Sequence, residues 1–263
     1  MDSLVYQSSN LSVASAVPLS LEEPKSFPER DAFARATSAT QSGLPLAWGV
    51  DGPVRPQMTM LRRLSLVGKR LFDIVAASAG VIVLAPMFLI IAIAIVTTSR
   101  GPVFFRQQRE GIDGTRFWVF KFRSMSIEHC DPSGVAQTKR NDPRVTAIGR
   151  FIRRTSIDEL PQLLNVILGD MSLVGPRPHV PGMLAGGVDY RTLVPYYDAR
   201  LAMRPGITGW AQANGLRGPT ADIGAARRRV DHDIAYIQNF SLWLDAKVLV
   251  KTVAREFLSG SGD

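Results

Sequence analysis

A mainly helical α+β fold that attaches to a membrane is predicted by three observations. Ile74 to Val96 is a run of 23 residues without a charge. Basic residues crowd both of its flanks, with Arg55, Arg62, Arg63, Lys69 and Arg70 before it and Arg100, Arg106, Arg109 and Arg116 after it. Beyond the run, short strand-like segments alternate with amphipathic helical ones.

The chain has 263 residues, of which 46% are hydrophobic and 21% charged, ample for a packed core. The net charge of +8 argues for anionic partners: nucleic acid, acidic lipid or phosphorylated substrates. Cys130 is the single cysteine, which excludes an internal disulfide and fits a reducing compartment. His129, His179 and His232 fall in no metal-ligand spacing and read as structural or solvated. Residues 1–58 are rich in Ser, Ala, Pro and Thr and lack an apolar run long enough for a signal peptide. They are expected to be disordered, leaving 59–263 as one domain with a membrane helix over about 71–98.

As one helix, Ile74 to Val96 would reach about 34 Å, enough to cross a bilayer. Two features oppose simple crossing. Pro86, near the middle, removes a helix hydrogen bond. Positive residues mark the cytoplasmic side, and both flanks carry them. A helix that enters, bends at Pro86 and returns satisfies both flanks. Re-entrant and spanning arrangements both remain open on these grounds, with a buried helix of a soluble protein as a third option.

Next, Phe117 to Arg123 (FWVFKFR) reads as a strand. Alternation puts Lys121 and Arg123 on one face and Trp118, Phe120 and Phe122 on the other. The two cations suit a phosphate or simply a solvated edge. His129 to Arg144 carries loop signals, and a short helix follows over about Thr146 to Arg154.

Asp158 and Glu159 then open an amphipathic helix marked by Leu160, Leu163, Leu164 and Ile167, with Gly169 as its stop. Ser156 with Glu159 matches a capping box, whereas a start at Asp158 accommodates Pro161 better. Either start places both acids in the first turn, where the helix dipole, with Arg153 and Arg154, favours their ionised forms. They serve as caps, or as a carboxylate nucleophile beside a second acid that binds a divalent cation or moves a proton. Glycosidase carboxylates must flank a sugar bond about 5–9.5 Å apart, which adjacent residues fit poorly. In Gly175-Pro176-Arg177-Pro178 the two prolines stiffen the loop around Arg177, which can pair with a phosphate or with a carboxylate such as Asp170. Arg204 to Trp210 (RPGITGW) is a second glycine-containing loop with a cation. A final helix is expected over Leu242 to Leu258, with Lys247, Lys251 and Arg255 on one face and Leu242, Ala246, Leu249, Val253 and Phe257 on the other. Such a helix covers a core or lies on lipid.

Taken together the motifs resemble the bacterial sugar transferase family, the monotopic phosphoglycosyl transferases. The matching pieces are KRLFD (Lys69–Asp73), the apolar segment with its proline, GPVFFRQQREG (Gly101–Gly111) and FKFRSM (Phe120–Met125). NDPRVT (Asn141–Thr146), RRTSIDELPQLLNV (Arg153–Val166), GDMSLVGPRP (Gly169–Pro178) and RPGITGWAQ (Arg204–Gln212) complete the series. The resemblance runs from about Val67 to about Phe257, and eight pieces in order make it specific.

The resemblance implies transfer of a sugar-1-phosphate from a UDP-sugar to polyprenyl phosphate, usually undecaprenyl phosphate, with release of UMP. That is the first membrane step of exopolysaccharide or other surface polysaccharide synthesis. It makes Asp158 the nucleophile of a covalent phosphosugar intermediate, and Glu159 a magnesium ligand or proton carrier. Lys121, Arg153 and Arg177 become phosphate contacts, joined by Arg123 beside the lysine and by Arg204. It further implies a re-entrant helix broken at Pro86 and a catalytic domain on the cytoplasmic face of the bacterial inner membrane. Some members have Ser-Pro at the break, where this chain has Ala85-Pro86. The chain resembles the small form made of the catalytic unit alone. The expected partners are UDP-sugar, polyprenyl phosphate and inner-membrane lipid, not nucleic acid, with a homo-oligomer left open. The rival expectation is a non-catalytic membrane scaffold that binds anionic lipid.

Overall fold

The computed structural model describes residues 38–39, 43–49, 51–126, 142–218 and 222–259. Most of the expected loop at His129–Arg144, Cys130 included, lies outside them. Four short strands come first: β1 (Ser38–Ala39) pairs with β2 (Pro45–Leu46), and β3 (Trp48–Gly49) with β4 (Gly52–Pro53). Residues 43–49 and 51–58 are therefore part of the folded body, and the expected disorder up to residue 58 is corrected there. Leu46 is buried among Tyr190, Tyr197, Val230 and Ile234. The Gln238 amide bonds the Ala47 N–H and C=O and the Val54 carbonyl. Composition concealed this docking because its partners lie some 190 residues downstream.

Helix α1 (Met60–Thr98) has 39 residues, about 58 Å of helix. Thr59 caps its start by accepting from the Arg62 N–H. The helix runs through Pro86 with no non-helical residue marking the expected break. It is long and apolar enough to cross a membrane by length and composition. Only 11% of its most apolar window is buried, which excludes the core helix of a soluble protein. Lys69, Asp73, Ala77, Ile91 and Ile95 form its buried stripe, while Val75, Ile82, Val83, Leu89, Ile90, Ile93 and Val96 are exposed.

Both ends of this stripe are seated on the same globular body. Near the start, Lys69 pairs with Asp245 at 2.6 Å, and Asp73 accepts from the Ser172 hydroxyl at 2.6 Å and the Leu173 N–H at 3.2 Å. Near the end, Ile91 and Ile95 pack with Phe122 and Ile152. Between them Ala77 joins Phe117, Val119, Leu163 and Val166, and Gly80 leaves room for Leu163.

Strands β5 (Phe104–Glu110) and β6 (Arg116–Phe122) form an antiparallel hairpin. Phe117 and Val119 face the core and Trp118 is exposed, as alternation requires. Phe122 is buried as well, stacked on Phe104 opposite it and edge-on to Phe88. Helix α2 (Ala147–Arg154), capped by Thr146, matches its expected position, whereas helix α3 (Gln162–Leu168) stops at Gly169 as expected, with φ 105°, but starts four residues after Asp158. Strand β7 (Ser172–Val174) precedes a small hairpin, β8 (Leu184–Ala185) with β9 (Val188–Asp189), and the turn of helix α4 (Tyr190–Leu193).

Strand β10 (Gly206–Thr208) lies parallel to β7, which sets the Pro-Arg-Pro loop beside the RPGITG segment. The approach needs glycine: a Cβ on Gly206 would stand 2.1 Å from the Gly175 nitrogen, and one on Gly209 2.2 Å from the Gly175 oxygen. Helices α5 (Trp210–Ala213), α6 (Ile223–Gln238) and α7 (Leu242–Ser259) complete the fold. The element order is α+β and mainly helical, as expected. The inner face of α7 is corrected: Leu244, Asp245 and Val248 are buried, whereas Leu242, Trp243, Val250 and Val253 are exposed. Asp245 turns inward because it meets Lys69 and the Tyr236 hydroxyl there.

Candidate active site

The acidic pair sits between α2 and α3. After α2, Ser156 adopts the left-handed conformation, φ 54° and ψ 15°, a costly state for a non-glycine residue. Ile157–Glu159 then form one 3-10 turn, and α3 begins only after Pro161. The anticipated capping box does not form, since Ser156 makes no side-chain cap bond. Both acids thus precede the α-helix instead of opening it.

The two neighbours occupy opposite environments. Glu159 accepts from Lys121 Nζ at 2.7 Å and from two Arg177 nitrogens at 2.6 and 3.1 Å. These cations hold its half-buried carboxylate well below the usual range. Asp158 is 7% exposed, and no described residue donates a hydrogen bond to its carboxylate. Burial, with the adjacent Glu159 charge, pushes Asp158 up to about 6; Lys121, Arg153 and Arg177 pull the other way. Glu159 is held ionised by Arg177 and Lys121 and not by the expected helix start, and for Asp158 the expected direction is reversed. Desolvation outweighs the nearby cations at the one acid they do not touch.

Long-range contacts assemble this arrangement. Asn165, fully buried in α3, accepts from the Phe120 N–H at 3.0 Å and donates to the Trp118 carbonyl at 2.7 Å. It clamps β6 against α3, so that Lys121 meets Glu159. Arg177 arrives on the Pro-Arg-Pro loop after β7, and its carboxylate partner is Glu159 in place of the anticipated Asp170. Arg153 lies close enough to act on the Asp158 charge.

Two of the anticipated phosphate contacts are directed elsewhere. Arg123 is buried and donates to the carbonyls of Ser99, Arg100 and Gly101, satisfying the end of α1. It follows the last residue of β6, so the alternation that paired it with Lys121 no longer applies. Arg204 donates to the Gly169 carbonyl at 3.0 Å, beside Arg70. Sequence reading missed Asn165, Arg109, Arg200 and Asp233. Arg109 stood within a quoted motif; Arg200 and Asp233 carried no local signal, since each is defined by a partner 33 residues away.

Among the described residues no three His, Cys, Asp or Glu stand together as a metal cluster. The donor chemistry still fits magnesium, which binds through one or two carboxylates completed by substrate phosphates and water. Glu159 already carries two cations, so a metal on it would replace one of them. The arrangement suits anion chemistry: a buried carboxylate with no hydrogen-bond donor among the described residues lies beside a clamped one, near Lys121, Arg153 and Arg177.

Comparison with known proteins places the whole of this region within one family match. A family model described as bacterial sugar transferase matches residues 64–259. An exopolysaccharide production protein, PSS, of Rhizobium leguminosarum bv. phaseoli is 52% identical over 199 residues, covering 76% of this chain and 100% of the relative. An undecaprenyl-phosphate glucose phosphotransferase of Komagataeibacter xylinus is 48% identical over 217 residues, 81% of this chain and 41% of the relative. A UDP-glucose:undecaprenyl-phosphate glucose-1-phosphate transferase of Klebsiella pneumoniae is 44% identical over 220 residues, 84% of this chain and 45% of the relative. The chain thus spans the whole of the first relative and under half the length of the other two.

Proposed function

Because the chain belongs to the bacterial sugar transferase family, we propose that it moves a sugar-1-phosphate, glucose-1-phosphate in the first instance, from a UDP-sugar to undecaprenyl phosphate and so starts an exopolysaccharide. The observation that carries this reading is the opposite treatment of Asp158 and Glu159. A nucleophile must be ionised yet poorly solvated, and Asp158, with a pKa of about 6, meets both conditions near neutral pH. Glu159, bound to Lys121 and Arg177, is the anchor that holds those cations beside it. The choice of glucose comes from the printed activities of the Komagataeibacter and Klebsiella relatives.

In the first step an Asp158 oxygen attacks the sugar-linked phosphorus. The P–O bond to UMP breaks, UMP departs with the electron pair, and an acyl phosphate forms on Asp158. In the second, an oxygen of undecaprenyl phosphate attacks that phosphorus and frees the Asp158 carboxylate. Lys121, Arg153 and Arg177 offset the charge gathered on the phosphates. Magnesium, held by Glu159 together with the substrate diphosphate, would neutralise further phosphate charge.

We infer that α1 enters and leaves one face of the inner membrane. What supports this is the seating of both its ends on one body, through Lys69 and Asp73 at the start and Ile91, Ile95 and the Arg123 clasp at the finish. A spanning helix would put a bilayer between those contacts. Pro86, exposed among the apolar side chains of the middle, is where the helix would bend. The basic flanks assign that face to the cytoplasm.

Purified protein given UDP-glucose and undecaprenyl phosphate should release UMP and form a lipid diphosphosugar, and Asp158→Asn should do neither. A membrane scaffold would bind anionic vesicles equally well with either side chain and release no UMP.

A further inference from the structure

Arg177 is carried by a loop whose two prolines stiffen it but give it no donors of their own. Pro176 and Pro178 have no N–H to donate, so the conformation of the segment depends on what its carbonyls accept. Each of four successive carbonyls is taken by a donor from elsewhere in the chain. The Pro176 oxygen accepts from the Gly206 N–H at 3.0 Å, and the His179 oxygen from the Glu110 N–H at 2.9 Å. The two between them accept from guanidinium groups: Arg177 from Arg200 Nη2, and Pro178 from Arg109 Nη1 at 3.3 Å.

Arg200 is 1% exposed and is itself held in place. Its Nε and Nη2 lie 2.9 and 2.7 Å from Asp233 Oδ2, and its Nη1 lies 3.3 Å from the Tyr197 hydroxyl. Asp233 is also 1% exposed. A fully buried ion pair is often no more stabilising than apolar residues of the same size, so stability alone is a poor reason for one here. What this pair supplies is direction: it aims one rigid fork at the backbone of Arg177. Arg109, on β5, is half-buried and bonded to Gln107, and it grips the next carbonyl.

We propose that Arg200 and Arg109 are positioning residues of the transfer reaction, holding the Arg177 backbone so that its guanidinium meets Glu159 beside Asp158. This rests on the function proposed above. Neither guanidinium needs to touch substrate. Each acts through Arg177, and the Arg200–Asp233 pair links the helix α6 core to the reacting carboxylates.

The test is a double-mutant cycle on the full chain in detergent or nanodiscs. Arg200→Lys keeps a charge beside Asp233 but loses the planar fork that fixes its direction, with the Nε contact to Asp233 and the Nη1 contact to Tyr197. Its single-turnover rate with UDP-glucose should fall about 10- to 100-fold with a smaller change in KM. Adding Arg177→Lys should then cost little more, because both changes displace one group. Amide exchange at Arg177 and His179 should also quicken in Arg200→Lys, a readout that needs no activity. Losses that multiply, a full rate in Arg200→Lys, or unchanged exchange would overturn the proposal. Should Arg200→Lys not fold, Arg109→Lys carries the same cycle and the same criteria. If the wild-type protein released no UMP, the function would fail, while the exchange measurement would still decide whether these arginines hold the loop.

Discussion

Replacing Asp158 by Asn should stabilise the protein while abolishing its activity. Burial raises the Asp158 pKa from 3.8 to about 6, so between those values the folded state holds a proton that the unfolded chain gives up. Stability therefore declines as pH rises through that window and stays lower above it. The rise corresponds to ~3 kcal/mol lost at pH 8 by keeping this carboxylate charged. Asparagine keeps the shape and removes the charge, so most of that amount should return. For a domain of this size it corresponds to a gain in Tm of roughly 6–12 °C. Thermal unfolding in detergent, followed by tryptophan fluorescence at pH 8 and pH 4, reads it directly. The gain should be large at pH 8 and mostly absent at pH 4, where the native Asp158 is already protonated. A Tm for Asp158→Asn at or below that of the wild type at pH 8, or an equal gain at both pH values, would refute the reasoning.

Three further outcomes follow from the same structure. Formation of the covalent intermediate should be level above pH 6 and fall about tenfold per pH unit below it, because only ionised Asp158 attacks; rapid-quench measurements between pH 5 and 8 check this. Asn165→Ala should cost ~2–4 kcal/mol, since it strands the Phe120 N–H and the Trp118 C=O in the interior, and denaturant titration measures it. Lys69→Met leaves Asp73 and Asp245 buried without their cation and should cost ~3–5 kcal/mol, seen as loss of folded protein on extraction from membranes.

What the sequence disclosed was what local chemistry encodes. Helix α2, the Gly169 stop and the β6 strand were legible from periodicity and end signals within a few residues. The acids, Lys121 and Arg177 were legible as residue types suited to phosphate. Their division of labour was not, because it depends on Asn165 drawing β6 to α3 and on the parallel pairing of β7 with β10. Arg123 misled for the opposite reason: its strand alternation was sound up to Phe122, and the chain then turned toward the end of α1. The segment around Leu46 is apolar but short, set in a stretch rich in Ser, Ala, Pro and Thr, and its docking partners Tyr190, Tyr197, Val230 and Ile234 lie far along the chain. Helix α7 shows the limit of counting apolar positions, since Asp245 faces inward to Lys69 while Trp243 faces out.

The most direct test of the central claim is the intact mass of the protein after incubation with UDP-glucose alone, with no lipid acceptor. One hexose phosphate should be added, fragmentation should locate it on Asp158, and added undecaprenyl phosphate should remove it. Turnover at the normal rate in Asp158→Asn, or an adduct on any other residue, would contradict the account.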